Sequence, residues 1–307
     1  MMINITDKRF RFFLISGVVI LIGIISLAVF GLKAGIELRG GSMLTLGFEQ
    51  EVDLGELRSE LASLGYTSVI VQTTGEGDYL IRTTKLTAGE KTALKETLTA
   101  KFGSFAERSF EDIDPIIAKQ TARTAAIAVA IAAIGILLYV TWAFRRMPKP
   151  FRYGACAIVA LVHDALVALG VFSIIGGILG WEINLMFITG LLAVIGYSVN
   201  NTVVIFDRIR ENLLESPSSD FDVIVNNSLV ETLTRSLNTS LTTIIVVLAL
   251  LLFVGATIQN FTVVLLIGVI AGTFSSLFIA PSLLVVWEKG EWRRFIKRRL
   301  LGSSTNN

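Results

Sequence analysis

Polar and titratable side chains stand inside runs of this sequence that are otherwise apolar. "INLMFITGLLAVI" leads without a break into "GYSVNNTVVIFDRIREN", so Asn200 and Asn201 sit side by side in the second half of an apolar helix. Asp207 and Arg208 follow within two turns. "VHD" sets His163 and Asp164 in another apolar run, and "RSLNTSLTTI" puts Arg235, Asn238, Thr239, Thr242 and Thr243 on one face of a third at helical spacing. Amides and hydroxyls hydrogen-bond, carboxyl and imidazole groups hold and release protons, and an arginine fixes a negative charge. Two readings fit these residue types: they join helices in lipid, or they line an intramembrane path for a proton or another ion. Tyr197, Asn201 and Arg208 share one helical stripe with Gly196, Asn200 and Asp207 beside it, and a polar face of this kind is expected to look inward. Arg235 costs little near the start of a span, where it can snorkel, but ~2.5–3.5 kcal/mol at the bilayer centre.

Such residues need helices in a membrane to hold them, and the composition supplies these. The 307-residue chain is 53% hydrophobic and 17% charged, with mean hydropathy +0.69; a soluble domain is about 45–50% apolar and about 25% charged. Runs at roughly 12–32, 122–144, 153–178, 184–206, 237–256 and 261–287 are each long enough to cross a hydrocarbon core. The first follows Lys8, Arg9 and Arg11, but its length and the lack of a small-residue cleavage site mark a retained anchor. Cys156 is the single cysteine and His163 the single histidine, so no internal disulfide, metal site or cofactor is expected. Phosphate-loop and dinucleotide motifs are missing, which argues against ATP use by this chain, and no nucleic-acid partner is expected. No catalytic residue is assigned, and an intramembrane protease is disfavoured: "GYSVNN" has no aspartate and His163 no nucleophile beside it.

Basic residues fix the expected orientation. Lys8, Arg9 and Arg11, then Arg145, Arg146, Lys149 and Arg152, then Arg208 and Arg210, then Lys289 through Arg299 all fall on one face if the spans alternate. The short loops "GGILGWEIN" and "GATIQN" hold neither Lys nor Arg. The expected organisation is a cytoplasmic N-terminus at 1–11, the first span at 12–32, an extracytoplasmic domain at 33–118, spans two to six with cytoplasmic loops at 119–288, and a basic cytoplasmic tail at 289–307.

The domain at 33–118 reads as α+β, with more acidic than basic side chains. Gly40 and Gly41 suit a tight turn into a first strand, "SMLTLGFE". "DLGELRSELASLG" opens with Asp53 three residues before Glu56 and stops at Gly65. "TSVIVQTT" and "DYLIRTT", joined by "GEG", form a hairpin; Thr87 and Glu90 cap a second helix, and "SFAERSFEDI" closes the set. The resulting β-α-β-β-α-β order is the ferredoxin-like pattern. In the last span Gly268, Gly272 and Ser276 form a small-residue ladder for close helix packing, which Pro281 would kink or end. "SSDFDVIVNNSLVETLTRS" is expected to lie as an amphipathic helix on the cytoplasmic surface.

Together "GIELRGGSMLTL", "VIGYSVNNTVVIFDRIREN" and "TLTRSLNTSLTT", supported by "VHD" and "GVIAGTFSS", resemble the SecF subunits of the Sec protein-export machinery, relatives of the RND transporters. The resemblance covers essentially the whole chain. It implies a multi-pass protein of a bacterial-type cytoplasmic membrane that pairs with a SecD-like subunit, associates with the SecYEG channel, and uses the proton gradient to draw an exported, unfolded polypeptide outward. An RND-type exporter of lipids or small molecules is the competing class, and a single outer domain argues against it.

One position departs from the family pattern. The resemblance implies G-Y-S-x-N-D, with the aspartate as proton carrier paired to an arginine in the next helix; here Asn201 holds the aspartate position while Arg235 is kept. An amide does not titrate near neutral pH. Three alternatives stay open: the SecD-like partner supplies the only carboxylate while Asn201 keeps its hydrogen-bond geometry with Arg235; Asp164 or Asp207 takes over the proton; or the chain is an uncoupled scaffold. Asn200 and Thr239 complete the ion-path candidates, and Gly196 joins Gly268, Gly272 and Ser276 as packing residues.

Overall fold

The computed structural model describes residues 4–66, 69–74, 77–217, 219–253 and 256–291. The "GEG" turn falls partly, and the basic tail beyond Glu291 wholly, outside the described residues. Among the described residues, six helices are long and apolar enough to cross a membrane, and a small sheet domain is inserted after the first.

Helix α1 (Arg9–Phe30) ends at Gly31, and a one-turn helix α2 (Ile36–Arg39) leads to Gly40 and Gly41. These two have φ of +85° and +132°, which side-chain-bearing residues rarely adopt. A methyl at Gly40 would also sit 2.7 Å from the Cα of Pro115, so only glycine lets the chain enter the sheet domain beside its exit. The domain then runs β1 (Gly41–Phe48), α3 (Leu54–Ser63), β2 (Ile70–Thr73), β3 (Tyr79–Thr83), α4 (Ala88–Phe102) and β4 (Phe105–Ile113). Its antiparallel sheet has the order β2-β3-β1-β4, with a register shift between Thr45 and Leu46 where β1 meets β4.

Local chemistry sets the helix ends. Asp53 accepts from the Gly55 and Glu56 amides at 2.8 and 2.9 Å, and Gly65 (φ +91°) follows the last turn of α3. Thr87 and Glu90 cap each other reciprocally at the start of α4. Leu57 and Leu61 from α3 and Leu94 and Leu98 from α4 bury against Leu44, Leu46, Val71 and Ile81 of the sheet. Removing each such leucine from water contributes about 1.5–3 kcal/mol. Tyr79 closes this core, donating to the Val52 carbonyl at 2.7 Å and accepting from its amide at 2.9 Å.

Asp114 caps α5 (Pro115–Ala143), and Pro115 sits in the first turn, where a missing N–H costs nothing. The bundle continues with α6 (Phe151–Leu179), α7 (Leu185–Glu215), α8 (Phe221–Phe253), α9 (Ala256–Phe274), a π-helical turn (Ser275–Ile279) and α10 (Ala280–Lys289). The layout has an inner group, α6, α7 and α9–α10, about half-buried along its apolar length, and an outer group, α1, α5 and α8, mostly exposed. Ile131, Ile134 and Leu138 of α5 and Leu252 and Phe253 of α8 are among the apolar side chains on the outside of the bundle.

The expected surface helix before the fifth span is absent as a separate element. Residues from Phe221 to Phe253 form one 33-residue helix, about 50 Å long. No glycine or proline interrupts it, and its buried row continues through Ile224, Ser228, Thr232, Ser236 and Ser240. Pro281 stands in the first turn of α10, and the regular helix that carries Gly268 and Gly272 is interrupted by the π turn directly before it.

Candidate functional site

Three inner elements converge on one carboxylate. Asp164, in the middle of α6, is 1% exposed. Its Oδ2 accepts from Ser198 of α7 at 2.5 Å and from Ser275 of the π turn at 2.8 Å. Its Oδ1 lies 2.9 Å from Nδ1 of the buried His163, whose ring faces Phe274. Serine hydroxyls donate and accept, and imidazole does either according to its tautomer, so these partners suit both the ionised and the protonated acid. Burying such a group without them would cost several kcal/mol.

The sequence builds this site through helix periodicity and one interruption of it. Leu191, Val194, Ile195, Ser198, Thr202 and Ile205 are the buried face of α7, which carries Ser198 to Asp164. Gly272 lies opposite; a methyl there would come within 3.0 Å of the Ser198 Cβ and 3.5 Å of Asp164 Oδ2. One turn away, a methyl on Gly268 would overlap the Val194 side chain. The π turn adds a residue to the helical repeat, so Ser275 and Ser276 both point inward.

Asn201 is half-buried, and its Nδ2 donates to Ser276 Oγ at 2.5 Å. Arg235 is exposed on α8, and its guanidinium has no hydrogen bond or ion pair among the described residues. The structure therefore does not join Asn201 to Arg235. Tyr197 instead reaches α8 through Ser240 at 3.1 Å, and Ser240 also receives a hydrogen bond from Thr273 at 2.7 Å.

The remaining candidates fall into separate places. Gly196, Asn200 and Thr239 are exposed, Asp207 pairs with Arg210 at 3.0 Å, and Gly40 and Gly41 serve the sheet domain at the far end of the molecule. Arg208 pairs with Glu231 at 2.6 Å, and Asn212 bonds Ser228 and Glu231, both at 2.9 Å. Arg235 lies one turn beyond Glu231 and Asn200 two turns beyond Arg208, so they continue this α7–α8 seam as an exposed polar row with Asn238, Thr239 and Thr242. Sequence reasoning missed Ser198 and Ser275. "GYS" and "GTFSS" contain them, but their partner, Asp164, is on another helix.

Two family descriptions match the chain: "Protein export membrane protein SecD/SecF, C-terminal" over residues 93–290, and "SecD/SecF GG Motif" over residues 25–52. The protein translocase subunit SecF of Thermobaculum terrenum is 42% identical over 97% of this chain and 98% of its own length. SecDF of Bacillus subtilis is 34% identical over 95% of this chain, which spans 39% of that longer protein. The crystal structure of SecDF from Thermus thermophilus, a translocon-associated membrane protein, superposes with a TM-score of 0.84 at 28% identity, over 94% of this chain and 39% of its own. The chain belongs to the SecD/SecF family of protein export membrane proteins.

Proposed function

We propose that this chain is the SecF-type half of a proton-driven device that acts with a SecD-like subunit and the SecYEG channel in the late steps of export of unfolded polypeptides. It is a transport subunit, as its relatives named protein translocase subunit SecF are, and its membrane is the cytoplasmic one. Both termini lie in the cytoplasm, in keeping with Arg145, Arg146, Lys149 and Arg152 near one end of the bundle. The sheet domain within 33–118, ferredoxin-like in its strand order, then lies outside, the six helices of 12–32 and 119–288 cross the membrane, and the basic tail at 289–307 is cytoplasmic.

The polar row on α7 and α8 is the surface for the SecD-like subunit. Arg235 is exposed on α8 with no partner among the described residues, and a carboxylate on a partner helix would offset the cost of holding its charge beside lipid. The matched part of SecDF is one segment of a longer chain, consistent with two halves working side by side.

Within this chain the proton is held at Asp164. The observation that carries this assignment is the buried carboxyl group with Ser198, Ser275 and His163 around it. Asn201, which does not titrate, ties α7 to the π turn through Ser276 and so fixes the geometry around Asp164. Gradient-dependent completion of preprotein export by the reconstituted complex tests the reading. Asp164→Asn should abolish the response to the gradient, while Asn201→Asp should not be needed for it. A response only in Asn201→Asp would mark the natural chain as an uncoupled scaffold.

A further inference from the structure

The sheet domain meets the helix bundle at a second buried carboxyl group. Glu182 lies in the connector between α6 and α7 and is 3% exposed. Neither carboxylate oxygen accepts a hydrogen bond among the described residues. Arg82 of β3 stands 3.2 Å from Oε2, and Arg39 of α2 stands 3.6 Å from Oε1.

Neutral hydrogen bonds surround this contact and some of them cross the same seam. The Glu182 carbonyl accepts from Asn260 of α9 at 2.8 Å, and the neighbouring Ile183 exchanges backbone hydrogen bonds with Lys33 and Gly35. Arg82 donates to Gln72 of β2 at 2.8 Å, and Gln72 in turn donates to the Gly180 carbonyl at 3.0 Å. The charged groups facing Glu182 are Arg82, Arg39, Glu37 and Lys33, with Glu111 of β4 acting on Arg82 and Glu37; Asn260 and Gln72 are neutral.

We propose that Glu182 is a proton-binding site at the seam between the sheet domain and the bundle, and that its protonation keeps the domain docked. The inference rests on the reading above, in which a proton gradient drives the chain. An ionised carboxylate buried here gives up its hydration and receives no hydrogen bond in return. Arginines at these distances replace that loss only in part, whereas a protonated acid loses far less. Burial accordingly raises the Glu182 pKa, against the opposing pull of Arg82 and Arg39, and lowers that of Arg82.

The sign follows from linkage. A group whose pKa is higher in the docked state than in the free one binds more protons when docked. Docking is therefore strengthened as pH falls through the docked-state pKa and weakened as pH rises through it. A proton arriving from the acidic side of the membrane holds the domain down, and its loss lets the domain lift.

The test measures docking itself. The full chain, with Cys156→Ser and spin labels at Ala62→Cys and Ile178→Cys, is placed in lipid nanodiscs, and label distances are recorded from acidic to neutral pH. One short distance should dominate in acid and give way to longer ones as pH rises. Glu182→Gln, uncharged at every pH, should keep the short distance throughout. Arg82→Gln removes the main group holding the Glu182 pKa down and should move the transition to higher pH, which decides the matter if Glu182→Gln does not fold. A distribution that ignores pH, or a Glu182→Gln curve that follows the native one, overturns the proposal. Because the readout is a distance and not export, a failure of this proposal is told apart from a failure of the export reading.

Discussion

Ser198 Oγ donates to Asp164 Oδ2 at 2.5 Å across the α6–α7 interface, while Asn201, one turn further along α7, donates to Ser276 and not to Arg235. The inner bundle therefore keeps a carboxyl group where two helices and the π turn meet. The arginine that the family resemblance pairs with the Asn201 position lies on the outside of the bundle. The Asn201–Arg235 hydrogen bond of the first alternative is replaced by two separate sites, one internal and one facing outward.

Removing either hydroxyl leaves Asp164 Oδ2 with a single donor. Ser198→Ala and Ser275→Ala should each destabilise the folded chain by ~1–3 kcal/mol, and together by more than either alone. Thermal unfolding in detergent at one pH reads both numbers. A neutral double variant would show that these hydroxyls are incidental to the carboxyl group.

Gly268 is required by the α7–α9 approach. Gly268→Ala should cost about 1–3 kcal/mol through overlap with Val194, and Val194→Ala in the same chain should recover part of that loss. Equal losses in the single and double variants would separate the two positions.

Arg235 should matter between chains more than within this one. Arg235→Ala is expected to leave the thermal stability of the isolated chain nearly unchanged and to reduce copurification with the SecD-like subunit, with Arg235→Lys intermediate. An isolated chain that unfolds when Arg235 is removed would place the guanidinium in an internal role.

The sheet domain has its own core, so its stability should respond to that core alone. Leu57→Ala, at a fully buried position, should destabilise the domain by ~2–5 kcal/mol and lower its protease resistance, while the helices stay folded. Loss of the whole bundle with this one substitution would show the two parts to be a single cooperative unit.

Much of this architecture is legible in the sequence because it is encoded locally. Thr87 and Glu90 announce α4, Gly65 closes α3, and long apolar runs give the six helices of the bundle. Where tertiary packing decides, the sequence is silent. Residues 221–253 look like a surface helix followed by a span, since a polar stretch precedes an apolar one, yet one buried row from Ile224 to Ser240 crosses the expected boundary and keeps them a single helix. Asp164 and His163 stand out as polar points, but their partners come from α7 and from a π turn that Pro281 hints at while the apolar periodicity does not show which side chains it turns inward. Asn201 and Arg235 share a helical period within their own segments. The register between α7 and α8, which separates them, is set by Arg208–Glu231 and Asn212–Ser228, contacts that no single-helix pattern reveals.

The most direct test of the central claim is an infrared difference spectrum of the reconstituted complex before and after a pH step. The account predicts a carboxyl band that appears on protonation, vanishes in Asp164→Asn, and persists in Asp207→Asn and in Glu182→Gln. A spectrum unchanged by Asp164→Asn would contradict it, leaving Asp164 as a fixed hydrogen-bond acceptor and moving the proton to the partner's side of the α7–α8 row.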